Sequence, residues 1–364
     1  MGFLPVLFAL VLPPPQAATG GLAPLPAPPP YRVESLSVSN GEITLAGTLT
    51  RPDEPSGPVP AVVLITGSGP QNRDEDIFGF KVFAAIADHF TRRGIAVYRY
   101  DDRGVGESTG TMATATTEDF AGDALAAVAR LKTMPGIDPT RIGLAGHSEG
   151  GAVAAIAAAR SADVAFVVML AGTAVPGDQV LRQQARDIAM ANGATPAQVD
   201  QIVAAHRAVT GAVLRDAAAD EQARLLRTLI EAQIDAAPAA QAAMLGDRKA
   251  YVDKTLIGAS AQMTSPWMKF MLTFDPATAL RKVTVPVYAA FGALDMQVPP
   301  SLHEAPMRQA LARNPRAAIT VYDSANHLFQ RARTGQVAEY ATLAKAFAPG
   351  LLDDIAKWIL AAGR

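Results

Sequence analysis

Two stretches near the start, residues 32–39 and 42–50, alternate apolar and polar positions around Asn40-Gly41, the pattern of a hairpin with one buried face. Later the pattern changes. Residues 61–66, 95–100, 142–145, 164–171 and 283–291 are nearly continuous apolar runs, with 317–322 the last. A strand with no polar face must be covered on both sides. Between these runs, apolar positions recur at helical spacing in residues 80–93, closed by Gly94, and in 117–133, 152–160, 302–312 and 351–361. Alternation of buried strand and helix predicts an α/β protein with a mostly parallel central sheet flanked by helices.

From residue 176 to 263 the alternation stops. Only helical patterns remain, over 180–191, 195–210, 220–236 and 248–256, and Thr195-Pro196-Ala197-Gln198 has the form of a capping box with proline at the first helical position. We read 176–263 as a helical cap inserted into a sheet domain made of 31–175 and 264–364. A separate helical domain or a dimerisation arm is the other reading of this segment. Residues 1–30 stand apart. An apolar run at 3–12, then Pro13-Pro14-Pro15 and a Gly/Ala/Pro-rich stretch, resembles a secretory signal peptide and linker, although no lysine or arginine precedes the run. The expectation is an exported protein, periplasmic or secreted; the alternative is an apolar extension on a cytoplasmic one. The run is too short for a stable membrane span.

Composition narrows the function classes. With 49% hydrophobic and 18% charged residues, the 364-residue chain can bury a large core. A net charge of −2 gives no reason to expect nucleic acid or an anionic membrane as a partner. The absence of cysteine excludes thiol catalysis, disulfides and zinc–thiolate sites, and no cluster of metal ligands or cofactor motif is visible.

The chemistry gathers where apolar strands end. Gly146-His147-Ser148-Glu149-Gly150 follows the 142–145 strand and precedes an alanine-rich helix, the setting that G-x-S-x-G requires as a nucleophile elbow. So sharp a turn crowds the backbone on either side of the serine, which explains the glycines. A nucleophilic serine needs a base and an orienting acid. Among the five histidines, His89 and His206 fall within helices, His303 opens one, and His147 is too close to Ser148 to reach back over it, although it can line the substrate pocket. His327 follows the last strand at the edge where open α/β sheets collect their active sites. Asp295, three residues beyond Gly292, follows the strand before it. We assign Ser148 as nucleophile, His327 as base and Asp295 as acid. For the oxyanion we assign the N–H of Glu149 and that of Ser68, in the Thr66-Gly67-Ser68-Gly69 turn after the 61–66 strand, with Gly69 as rival donor and pocket residue.

The order Ser, Asp, His is that of the α/β-hydrolases. With Gly67-Ser68-Gly69-Pro70, Arg73-Asp74, Asp101-x-Arg103-Gly104-x-Gly106-x-Ser108, Gly292-x-x-Asp295-x-Gln297-Val298-Pro299 and Asn326-His327, the chain from about 34 to 363 resembles bacterial carboxylesterases of this fold, akin to dienelactone hydrolases and prolyl oligopeptidase catalytic domains. The resemblance implies a cofactor-independent serine hydrolase acting on small-molecule esters. A peptidase or amidase, and a non-catalytic binding protein on the same scaffold, are the competing readings. Arg103 is expected to pair with a carboxylate and brace its loop, and Arg73-Asp74 to order the oxyanion loop.

Overall fold

The structure is a computed structural model that describes residues 29–53 and 55–362. The leader and linker read at 1–30 therefore lie, except for Pro29 and Pro30, outside the described residues. The first two strands, β1 (Tyr31–Asn40) and β2 (Ile43–Pro52), form the expected antiparallel hairpin. Its turn falls one residue later than the pattern suggests, at Gly41-Glu42. Asn40 remains paired with Ile43 while its side-chain amide donates to Asp123 at 2.8 Å, and Gly41 takes the positive φ of 58°.

The chain continues through β3 (Val59–Ile65), a short ribbon of β4 (Asp76–Ile77) and β5 (Phe80–Lys81), α1 (Val82–Thr91) and β6 (Ala96–Tyr100). Next come α2 (Thr117–Leu131), β7 (Ile137–His147), α3 (Glu149–Arg160) and β8 (Val167–Leu170). Helix α2 is capped by Thr116 in a capping box with Asp119, one residue before the expected start. After the insertion come α10 (Pro276–Leu280), β9 (Val287–Gly292), α11 (Pro300–Ala310), β10 (Ala317–Tyr322) and α12 (Leu351–Ala362).

Among the described residues, one eight-stranded sheet runs in the order β1-β2-β6-β3-β7-β8-β9-β10. It is parallel from β6 to β10, with the hairpin antiparallel at one edge. Every residue of β3 and β9 is buried, and because successive side chains point to opposite faces, both faces carry helices. Strand β3 lies between β6 and β7, so the chain leaves it first to one side and later to the other. Such a reversal opens a crevice at the carboxyl ends of the strands. The loops after β3 and β7, which carry Ser68 and Ser148, meet there.

The insertion between β8 and β9 holds α4 (Gly177–Ala191), α5 (Pro196–Leu214), α6 (Ala219–Ala236), α7 (Ala239–Ala243), α8 (Arg248–Met263) and α9 (Pro266–Thr273). These helices share an apolar core of their own, including Leu181, Ile202, Val213, Leu229 and Val252. Thr195 and Gln198 form the expected capping box on α5. The packing carries the cap beyond residue 263: Met268 and Leu272 of α9 belong to its core. The sequence pattern shows 265–267 only as a return to the sheet, because an eight-residue helix gives too little periodicity to read. No helix among the described residues is long and apolar enough to cross a membrane.

Candidate active site

Helix α3 begins abruptly. Ser148 stands between β7 and α3 with φ 54° and ψ −116°, a conformation in which non-glycine residues are strained. Its backbone N–H donates to Leu170 O at 2.8 Å and so ties the turn to the neighbouring strand. The two motif glycines are required sterically: a Cβ on Gly146 would lie 1.9 Å from Gly150 O, and one on Gly150 would lie 2.2 Å from Ile65 O. Serine therefore sits at the apex because backbone crowds both sides of it. The first N–H groups of α3 have no carbonyl a turn earlier to bond, so the Glu149 N–H is free to meet an anion.

His327 and Asp295 come together at the end of the same sheet. His327 Nδ1 lies 2.8 Å from Asp295 Oδ2, and both residues are buried. Asp295 Oδ1 accepts the backbone N–H groups of Gln297 (2.7 Å) and Val298 (2.9 Å). Burial alone would raise the Asp295 pKa, but His327 and these two N–H groups outweigh it and hold the carboxyl below its usual range. A carboxylate at Nδ1 fixes the imidazole tautomer and leaves Nε2 as the basic nitrogen. The loop is braced by Asn326, whose Oδ1 accepts Leu328 N–H at 3.0 Å and Gln330 N–H at 2.9 Å.

Ser148, His327, His147, Glu149, Gly67 and Ser68 all line one cavity of about 130 Å³ under the cap. Gly69 is not among the lining residues; it turns the chain with φ 90° behind Ser68. Gly67 approaches the nucleophile so closely that a Cβ on it would lie 3.3 Å from Ser148 Cβ. Its own N–H is occupied, donating to Glu75 Oε1 at 2.9 Å. An oxyanion donor from this loop must therefore come from a later residue, and Ser68 is the next one that reaches the cavity.

The cap supplies the apolar roof, with Val180, Leu181, Trp267 and Met271 facing the cavity. It is anchored to the elbow. Trp267 Nε1 donates to Glu149 Oε1 at 2.7 Å, and the Thr117 hydroxyl donates to the same oxygen at 2.7 Å. Burial raises the Glu149 pKa against these donors. Arg103 braces its loop as expected, its guanidinium gripping Asp123 at 2.6 and 2.9 Å. Arg73 bonds Asp101 through Nη2 (2.6 Å) and its own N–H (2.7 Å), and Arg99 holds Asp74 at 2.9 Å.

Two residues take parts that the sequence reading did not assign. Glu75, one position beyond Arg73-Asp74, is fully buried and reaches both the oxyanion loop and His147. The only sequence signal for it was an acidic residue eight positions after Gly67. His303 was read as a helix-start residue, yet it is completely buried, and its Nδ1 accepts the Ala174 N–H at 3.0 Å where the chain leaves β8 for the cap. Burial pushes its pKa down to about 4, with Asp295 pulling the other way. A base with a depressed folded-state pKa contributes stability above its unfolded value near 6.5 that is lost as pH falls through about 4. At about 1.4 kcal/mol per pKa unit, that contribution is on the order of 3 kcal/mol. His303→Asn keeps an acceptor for Ala174 but cannot gain a proton. Urea unfolding from pH 7 to pH 4 is expected to show a shallower loss of stability in this variant than in the wild type.

A parallel sheet crossed by cap helices, with a serine on a strained strand-to-helix turn, defines an α/β-hydrolase. The family model Hydrolase_4, described as serine aminopeptidase, S33, matches residues 80–331, and the chain belongs to that family. Esterase EstD of Thermotoga maritima is 28% identical over 336 residues, covering 91% of this chain and 70% of that protein. Among solved structures, the Pyrococcus furiosus esterase PF2001 aligns over the whole of both chains (12% identity, TM-score 0.55). The α/β hydrolase GrgF from Penicillium sp. sh18 aligns over 92% of this chain and 99% of its own (16% identity, TM-score 0.53). At such identities these two show the shared fold. Among the described residues no group of three or more histidine, aspartate or glutamate side chains could hold a metal ion.

Proposed function

We propose that the protein hydrolyses carboxylic esters of small molecules through an acyl-enzyme on Ser148. The observation that carries this reading is the Asp295–His327 pair, held at 2.8 Å in the tautomer that leaves Nε2 basic, beside the same cavity as the strained serine. His327 Nε2 takes the Ser148 proton as Oγ attacks the acyl carbon. The negative charge that develops on the carbonyl oxygen is met by the N–H groups of Glu149 and Ser68. His327 then protonates the departing alcohol, and water activated by the same nitrogen releases the acid.

The family description points to peptides as well. An aminopeptidase must hold a substrate ammonium group, and the carboxylates lining this cavity already have partners: Glu75 meets Gly67 and His147, and Glu149 meets Thr117 and Trp267. The ester relative and the apolar roof favour esters. A cavity of about 150 Å³ lodges a benzene ring, so 130 Å³ suits an acyl chain of about four to six carbons. Hydrolysis of p-nitrophenyl esters from acetate to laurate, beside an aminoacyl p-nitroanilide, tests this. The expected optimum is butyrate to hexanoate with no anilide turnover. Turnover of the anilide alone would replace the ester reading with a peptidase one.

A further inference from the structure

His147, between Gly146 and Ser148 in the elbow, has both ring nitrogens against acceptors. Nε2 lies 3.0 Å from the carbonyl oxygen of His327, which can only accept, so Nε2 carries a hydrogen. Nδ1 lies 2.9 Å from Glu75 Oε1, and that contact is a hydrogen bond only if a second proton lies between the two atoms. Glu75 Oε1 also accepts the Gly67 N–H at 2.9 Å, so this oxygen already serves as an acceptor, and the second proton is assigned to Nδ1. Glu75 is 0% exposed and His147 2%. A buried charge persists only when it is paired and hydrogen-bonded; here Glu75 Oε1 and the His147 ring answer each other, while Glu75 Oε2 is buried without a hydrogen-bond partner among the described residues.

We propose that Glu75 and His147 are positioning residues: a buried glutamate–imidazolium pair that retains its second proton and fixes three loops relative to one another. The inference rests on Ser148 and His327 acting as proposed above. The loops belong to different elements. Gly67 follows β3, His147 ends β7, and the His327 carbonyl lies beyond β10. One chain of three hydrogen bonds, Gly67 N–H to Glu75 to His147 to His327 O, therefore joins the oxyanion loop, the nucleophile and the base. Glu75 holds a positive φ of 46°, so, like Ser148, it keeps a strained backbone at the site. The charge balance has a catalytic consequence. The rings of His147 and His327 are centred 4.7 Å apart, and His327 must itself become a cation during the reaction. Glu75 neutralises the first cation so that the second can form, and Asp295 faces both. Although burial opposes it, the Glu75 charge holds the His147 pKa above its ordinary value.

Glu75→Gln removes the charge while keeping an oxygen for Gly67. The expected result is a kcat lower by about 10²-fold, the cost of misplacing reacting groups by about an ångström, with KM nearly unchanged. A merely structural role would leave the protonation state alone, so the deciding measurement is ¹⁵N–¹H NMR of histidine-labelled protein, with the His147 signals identified by their loss in His147→Gln. Both ring nitrogens of wild-type His147 are expected to be protonated at pH 7, and only one in Glu75→Gln at the same pH. A neutral, singly protonated His147 in the wild type at pH 7 would overturn the proposal, as would wild-type kcat in a Glu75→Gln protein with altered protonation. The spectrum of the wild type needs neither a folded variant nor ester turnover, so it stands even if the substrate assignment fails.

Discussion

Ser148→Ala is expected to lower kcat on p-nitrophenyl butyrate by about 10⁶-fold, the loss seen when a triad serine is removed. The residual rate would be that of oxyanion stabilisation and binding without covalent catalysis. Alanine keeps the Cβ and therefore the same strain at φ 54°, so the unfolding midpoint should hardly move. Ser148→Gly should be equally inactive yet more stable by roughly 1–3 kcal/mol, since glycine adopts that conformation freely. Thermal unfolding measured beside the kinetics checks both halves. An active Ser148→Ala protein would remove Ser148 as nucleophile, and a Ser148→Gly protein of unchanged midpoint would show that the turn is relaxed.

Asp295→Asn should cost about 10⁴-fold in kcat while leaving the fold intact. The reason lies in the three hydrogen bonds that the carboxylate accepts. Two come from the backbone N–H groups of Gln297 and Val298, which cannot turn away, so the single oxygen of asparagine must face them. Its NH₂ group then meets His327 Nδ1, which must accept, and the ring proton moves to Nε2. The base is present but in the wrong tautomer. Single-turnover kinetics with a burst assay should show acylation slowed. Unimpaired acylation would mean that another residue orients His327.

The sheet was legible because parallel strands buried on both faces leave an unmistakable apolar run; the run read at 61–66 lies in β3, which starts two residues earlier and ends one earlier, at Val59–Ile65, with every residue buried. The elbow was legible for a related reason: only glycine fits where Gly146 and Gly150 stand, so sterics are written into residue type. Asp295 and His327, the proposed partners of Ser148, could be placed together because they follow β9 and β10. What was not legible depended on distance in sequence or on short elements. Glu75 is one acidic residue in Asn72-Arg73-Asp74-Glu75-Asp76, and nothing local tells it from its neighbours; its meaning comes from a histidine 72 positions away. Helix α9 is too short to show a period, and its tie to the elbow, Trp267 to Glu149, spans 118 positions. His303 looked unremarkable because burial at a helix start is set by the α11 packing and by Ala174, neither of which is encoded beside it.

The cap leaves the sheet after β8 and returns before β9, and these two strands are hydrogen-bonded neighbours. The whole roof is therefore a single cassette whose two ends enter at adjacent slots. Recombination could exchange it in one event, changing which acyl groups are admitted while Ser148, Asp295 and His327 stay where they are. The polar fastening that a replacement roof would have to reproduce includes an indole donor for Glu149, an amide donor for Gln297 O, a carbonyl for the Gln336 amide and a backbone N–H for His303. Substrate range and reaction chemistry can thus be inherited separately in this chain.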